Sequence, residues 1–338
     1  MRSDHCFGPV WRWRAGLFAA AMAVVTGPLA QAQAPSPRLS EVLPSVVRVK
    51  AVVNHDGRTV ESMGREREGS GIVIDGNGLV LTIGYLIVEA HAIEVMTSNG
   101  QALPADVVGY DFETGFGLLK TIAPLKARPM AFGKSAEVKE GDPVLIASHG
   151  GADHTALVSV ASRREFAGYW EYVLDQAIFT TPPYPHWSGA ALINREGKLV
   201  GVGSLVVGDA NGKENGVSGN MFVPIDALSP VLADLIAGRH APARPWLGLY
   251  MHEAGERLIV VRAQPGSPAE KAGLRRGDVI VGVAGATPKN LADLYRKIWA
   301  LGPAGISVPL DVLRDDAKRR VEIKSMSRLE HLKLKSTF

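Results

Sequence analysis

Between residues 46 and 206 the chain is a succession of short apolar runs broken by glycine-rich turns, which leaves little room for anything but a multi-stranded β architecture. The runs fall at residues 46–49, 71–74, 79–82, 92–95, 143–146, 191–193 and 199–202. Asp75-Gly76-Asn77-Gly78 and Asn194-Arg195-Glu196-Gly197 carry the turn chemistry that joins such runs into hairpins. Many short strands at regular spacing predict a sandwich or a barrel. Leu228, Val231, Leu232 and Leu235 then repeat at helical spacing and predict a helix over residues 224–238. A stretch rich in Ala, Pro and Arg, residues 240–245, reads as a linker.

The pattern changes after that linker. Ser267-Pro268-Ala269-Glu270 is a capping box with proline at the first helical position, and Gly273 closes the short helix. Asn290 caps a second predicted helix that places Leu291, Leu294, Tyr295 and Ile298 on one face. Strands are expected at residues 258–261, 278–283 and 308–313, so this second unit is α+β. With 338 residues, 46% apolar and 21% charged, the chain has the length and composition of about two globular domains.

The N-terminus reads as an export signal. Arg2, Arg12 and Arg14 precede an apolar stretch at residues 15–25, followed by Pro28 and the small-residue pattern Ala30-Gln31-Ala32. Cleavage is expected after Ala32, since cutting after Ala34 leaves Pro35 at the new terminus. The other reading is an uncleaved anchor, for which the run is short against the roughly 20 apolar residues of a span. Cleavage removes Cys6, the only cysteine, and with it any disulfide, thiol nucleophile or thiolate ligand. It also lowers the formal net charge from +3 to +1, because Arg2, Arg12, Arg14 and Asp4 are lost. A near-neutral surface without basic runs gives no support for nucleic-acid binding. The histidines show no metal-ligand spacing, so neither a metal nor another cofactor is expected.

Gly69-Ser70-Gly71-Ile72-Val73-Ile74-Asp75, Gly78-Leu79-Val80-Leu81-Thr82, Val107-Val108-Gly109-Tyr110-Asp111, Leu118-Leu119-Lys120, Ser188-Gly189 and Asn220-Met221-Phe222-Val223-Pro224 occur in that order. This series resembles the HtrA/Deg branch of trypsin-like serine proteases. Trp246-Leu247-Gly248-Leu249, Gly266-Ser267-Pro268-Ala269, Ala272-Gly273-Leu274 and Gly277-Asp278-Val279-Ile280 resemble a bacterial PDZ domain. The resemblance implies a mainly β fold, a trypsin-like double β-barrel followed by an α+β PDZ domain. It divides the chain into a signal peptide (1–32), a protease-like domain (36–239), the linker (240–245), a PDZ domain (246–328) and a C-terminal tail (329–338).

The family's catalytic positions are altered. The histidine of the family stands in a Thr-Asn-x-His-Val context, whereas Thr82-Ile83-Gly84-Tyr85 puts Tyr85 there. A phenol with an ordinary pKa near ~10 is a poor general base at neutral pH. Gly115 occupies the position of the aspartate, four residues after Asp111. Ser188 keeps the nucleophile position, in His186-Trp187-Ser188-Gly189, where the family has Gly-Asn-Ser-Gly. His186 therefore replaces the glycine whose amide serves the oxyanion hole, and Pro182, Pro183 and Pro185 stiffen the preceding loop. A displaced base stays open as an alternative, supplied by His186 in a rearranged loop or by a lysine. His91, six residues past Tyr85, is expected on a short helix and off the site-facing side, and His149 and His154 are expected as solvated turn residues.

The resemblance also implies how the second unit works. A bound peptide adds as a strand beside a helix, and its terminal carboxylate is held by backbone amides. Trp246, Leu247, Gly248 and Leu249 are expected to form that loop, with Leu291, Leu294 and Tyr295 of the opposite wall touching peptide side chains. For Leu294 and Ile298 a place in the core is the equal alternative. The implied function is an exported, periplasmic HtrA/Deg-like homologue that binds peptides, protein C-termini, unfolded segments or a partner protease without hydrolysis. The alternative is an active serine endopeptidase using Ser188. The relatives' trimeric habit extends to this chain as a possible homo-trimer, and no membrane span is expected once the signal is cut.

Overall fold

The computed structural model describes residues 39–213, 215–239 and 242–332. The expected signal peptide, part of the linker and the end of the tail lie outside the described residues. Among the described residues no helix is long and apolar enough to cross a membrane.

Two closed six-stranded barrels come first. β1 (Val46–Val53), β2 (Glu66–Val73), β3 (Leu79–Ile83), β4 (Ala90–Met96), β5 (Ala102–Tyr110) and β6 (Phe116–Thr121) close in the order β1-β2-β3-β6-β5-β4. β7 (Pro143–Ala147), β8 (Thr155–Gly168), β9 (Tyr172–Thr181), β10 (Ala191–Ile193), β11 (Leu199–Val207) and β12 (Gly219–Pro224) close in the order β10-β11-β12-β9-β8-β7. Closure removes the unpaired sheet edges that open sheets must protect. The apolar runs supply the interiors: in β1, Val47, Val49, Ala51 and Val53 are buried while Arg48, Lys50 and Val52 are only partly so. β3 is buried at all five residues.

A five-stranded sheet follows, β13 (Leu249–Ala254), β14 (Arg257–Ala263), β15 (Val279–Val283), β16 (Ser307–Arg314) and β17 (Ala317–Lys324), paired in that order. The helix Leu291–Trp299 packs on it through Leu291, Leu294, Tyr295 and Ile298, all buried. Its cap is the expected one, Asn290 Oδ1 accepting from the Asp293 amide at 2.8 Å. Ser267 likewise accepts from the Glu270 amide at the start of the helix Pro268–Lys271. Glu270 reaches back one residue further than a standard capping box and accepts from the Gly266 amide at 2.6 Å. The fold is thus mainly β, a trypsin-like double barrel plus an α+β unit.

Two local expectations change. Residues 224–238 are not one helix: Pro224 ends β12 in extended conformation, a 3-10 turn spans Ile225–Ala227, and the helix runs only over Ser229–Ile236 with Pro230 in its first turn. His91 lies on β4, exposed, rather than on a helix, because the turn after Tyr85 is a single 3-10 turn.

Candidate active site and peptide groove

Tyr85 is carried by the 3-10 turn Gly84–Leu86 at the end of β3. The turn can form there because residue 84 is glycine: a Cβ would lie 1.7 Å from the Tyr110 ring, and the Gly84 amide donates to the Gly115 carbonyl at 2.7 Å. From β2, the buried Arg67 donates through Nη1 to the carbonyls of Tyr85 (2.8 Å) and Val88 (3.0 Å), and through Nη2 to Thr59 Oγ1 (2.7 Å). Burial lowers the pKa of this guanidinium, and Glu89 partly restores it.

The Tyr85 hydroxyl lies 2.8 Å from Ser188 Oγ and 3.0 Å from the carbonyl oxygen of Ser204, and its single proton serves one of these two acceptors at a time. Burial pushes the phenol up to about 12, and hydrogen bonding with Ser188 and Trp187 acts downward. At neutral pH it is therefore a neutral O–H, and a neutral phenol oxygen does not take a proton from an alcohol. A cavity of about 210 Å³ opens beside it, walled in part by Ile83, Gly115, Trp170, Tyr172 and Ser204.

Ser188 is fixed by its own backbone, its carbonyl accepting from the Ser70 amide at 2.8 Å while the Gly189 amide donates to the Gly203 carbonyl at 2.9 Å. Gly115 adopts φ +85°, on a turn closed by its amide on the Asp111 carbonyl at 2.8 Å. Asp111 spends one carboxylate oxygen on that turn, accepting from the Thr114 amide (2.9 Å) and from Thr114 Oγ1 (2.5 Å). The space around Gly115 belongs to Tyr172, whose hydroxyl donates to the Thr114 carbonyl at 2.7 Å. Burial raises the Tyr172 phenol well above its ordinary value.

The histidines form a row. His186 packs on Tyr184 (ring centroids 5.7 Å) and on His154 (5.2 Å), and His154 faces His149 (6.3 Å). His149 Nδ1 is 3.2 Å from Ser70 Oγ and Nε2 is 3.3 Å from Glu68 Oε1. Burial lowers its pKa, and Glu68 pulls the other way. His149 and His154 are thus not the solvated turn residues expected: the loop folds back onto β2, and both rings are half covered.

At the α+β unit the loop before β13 turns its amides toward a carboxylate from within the chain. The amides of Leu247, Gly248 and Leu249 donate to the Glu171 carboxylate at 3.0, 2.7 and 2.8 Å. Gly248 sits at φ +81°, the left-handed conformation that turns successive amides toward one point. Burial raises the Glu171 pKa, and the three amides offset part of this. Glu171 lies in the short turn between β8 and β9. The same turn places the Tyr169 carbonyl 2.8 Å from the Met251 amide and the Gly168 carbonyl 3.0 Å from the Tyr295 hydroxyl. Leu291, Leu294, Tyr295 and Ile298 are 5, 1, 1 and 1% exposed and all belong to the core, Tyr295 reaching the hairpin through its hydroxyl. Trp246 pairs with Met326 and packs at a tilt against His331 (ring centroids 4.6 Å), behind the loop rather than in it.

Sequence reasoning missed Glu171, Tyr172, Arg67 and Ser204. The aromatic cluster Tyr169-Trp170-Glu171-Tyr172 at a hairpin tip was the available signal, since surface turns seldom carry three aromatics unless something covers them.

Twin barrels meeting at a serine cleft, followed by a five-stranded unit with a carboxylate loop, define a trypsin-like protease fold with an appended PDZ domain. The Trypsin-like peptidase domain family matches residues 69–202 and the PDZ domain family matches residues 245–325. The chloroplastic protease Do-like 1 of Arabidopsis thaliana is 30% identical over 309 residues, 84% of this chain and 69% of that protein. A DegP-like periplasmic serine endoprotease of Pseudomonas fluorescens is 32% identical over 276 residues, and the chain spans 57% of its length. The solved HtrA-type protease AlgW with decapeptide shares the fold at a TM-score of 0.51 and 21% identity, covering 86% of this chain and 97% of its own. The chain belongs to the HtrA/DegP-type family of trypsin-like serine proteases with a PDZ domain.

Proposed function

We propose that this protein is an exported, periplasmic pseudoprotease that recognises peptides or protein C-termini through its PDZ domain and does not hydrolyse them. The observation that carries the reading is the Tyr85 hydroxyl, 2.8 Å from Ser188 Oγ, where a working site needs a proton acceptor. Loss of one triad member ordinarily lowers turnover by roughly 10⁴ to 10⁶. Here glycine also stands in place of the carboxylate that would orient a base. The relatives' periplasmic designation and the signal-like N-terminus support export.

A second reading, an active endopeptidase with a displaced base, draws on the retained Ser188 and on the row His149, His154, His186 beside its loop. One experiment separates the two. A fluorophosphonate probe and casein are offered to the folded protein and to Ser188→Ala. The pseudoprotease reading expects neither labelling nor cleavage above the variant's background. Labelling at Ser188, with cleavage abolished by the substitution, establishes the active enzyme instead.

A further inference from the structure

We infer that the tip of the β8–β9 hairpin is a built-in ligand of the PDZ groove, with the Glu171 carboxylate standing where a peptide's terminal carboxylate would sit. An outside peptide then binds only after the tip withdraws. The inference rests on reading this unit as a peptide-binding PDZ domain.

The register carries the argument. β13 is an edge strand, paired with β14 on one side only, and alternate amides of a strand point to the same edge. Leu249 and Met251 therefore aim their amides outward together. Leu249 donates to Glu171, and Met251 donates to the carbonyl of Tyr169, two residues earlier. The tip thus runs antiparallel to β13 and toward the carboxylate loop, as a strand-adding peptide does. On the opposite wall, Tyr295 hydrogen-bonds the Gly168 carbonyl. Val173, just beyond the tip, is buried in the PDZ core cluster.

The backbone is arranged for this contact. Glu171 holds φ +60°, a conformation a glutamate rarely adopts and that costs free energy unless its surroundings fix it. The compensation is three backbone donors for a buried carboxylate, with the Arg328 charge adding to them from further away. Outside the groove, Arg296 on the groove helix ties down the hairpin stem through ion pairs to Glu165 (2.6 Å) and Asp175.

If the groove is open only a fraction of the time, apparent affinity for an outside peptide falls by that fraction. The test uses the full chain, a fluorescein-labelled Gly-Ser-Gly-Tyr-Trp-Val probe with a free C-terminus, and the same probe amidated. Glu171→Ala should bind the free-acid probe at least about tenfold more tightly than the wild type. Arg296→Ala, which leaves loop and groove intact, should bind it about twofold to fivefold more tightly. The amidated probe should bind weakly to all three. Hydrogen exchange at residues 168–173 and 247–251 is followed in parallel: both segments should be protected in the wild type and faster in either variant. Equal probe affinities among proteins that bind it, or a tip that exchanges as fast in the wild type as in Glu171→Ala, overturns the internal ligand. If exchange behaves as expected but no protein binds the probe, the latch stands and the peptide-binding reading falls.

Discussion

The proposed absence of hydrolysis rests on the hydrogen bond between Ser188 and Tyr85. Forming a serine nucleophile needs a neighbour that gains a proton, and a phenol raised to about 12 already holds its own at neutral pH. Gly115 is the second local change. The space around it accommodates a Cβ, whose nearest neighbour is the Tyr172 hydroxyl at 3.5 Å, but its φ of +85° does not suit a side chain. Aspartate tolerates the left-handed region better than most residues, so Gly115→Asp should cost only about 1–2 kcal/mol. A lower urea midpoint with an unchanged slope checks it; a stability equal to the wild type contradicts it.

At the scale of elements, the groove helix shows how differently two positions on one helix contribute. Asn290 closes its N-terminus through a single side-chain bond, while Ile298 is 1% exposed within the PDZ core. Asn290→Ala should cost about 1 kcal/mol. Ile298→Ala should cost about 2–5 kcal/mol, through lost burial and the cavity left behind. Chemical denaturation of both variants tests the order, and a cap that matters more than the core residue would refute it. The β8–β9 hairpin is the other element that matters. Its stem closes the second barrel, and its tip lies in the next domain, with Tyr172 reaching the Thr114 carbonyl beside Gly115 on one side and Glu171 reaching the PDZ loop on the other. Trp170 and Tyr172 stack between them, ring centroids 5.7 Å apart.

Across the whole molecule, His331 samples both domains. It is buried against Trp246, and its pKa is pushed down to about 4 by burial first and by Arg58 next, with Lys271 and Arg328 adding to this and Glu89 opposing. The native chain therefore refuses a proton that the unfolded chain takes up below its ordinary value of 6.5. Stability from this group is complete above that value and falls as pH drops toward 4, by up to about 3 kcal/mol. His331→Gln should flatten the dependence of the urea midpoint between pH 7 and pH 5 relative to the wild type, the other titrating groups being common to both. Parallel curves would show that His331 does not titrate differently in the two states.

The sequence by itself determined what local chemistry controls. The β1 and β3 interiors follow from apolar spacing, the turns at Asp75 and Asn194 from their side chains, and the caps at Ser267 and Asn290 from one hydrogen bond each. The positions of Tyr85, Gly115 and Ser188 were readable through a resemblance carried by motifs in order. Less was readable where the pattern is weak: β17 buries only Ile323 and shows no apolar run, because it is an edge strand with solvent on its outer side. The long β8 was hidden by Arg163, Arg164 and Glu165, three consecutive charged residues that break its apolar alternation beside a bulge. What only the tertiary structure decided is which groups meet across large sequence separations. No spacing rule joins Glu171 to Gly248 or Tyr172 to Thr114, since those contacts exist only once both barrels and the PDZ sheet have closed and a buried carboxylate must find donors wherever the fold has left them.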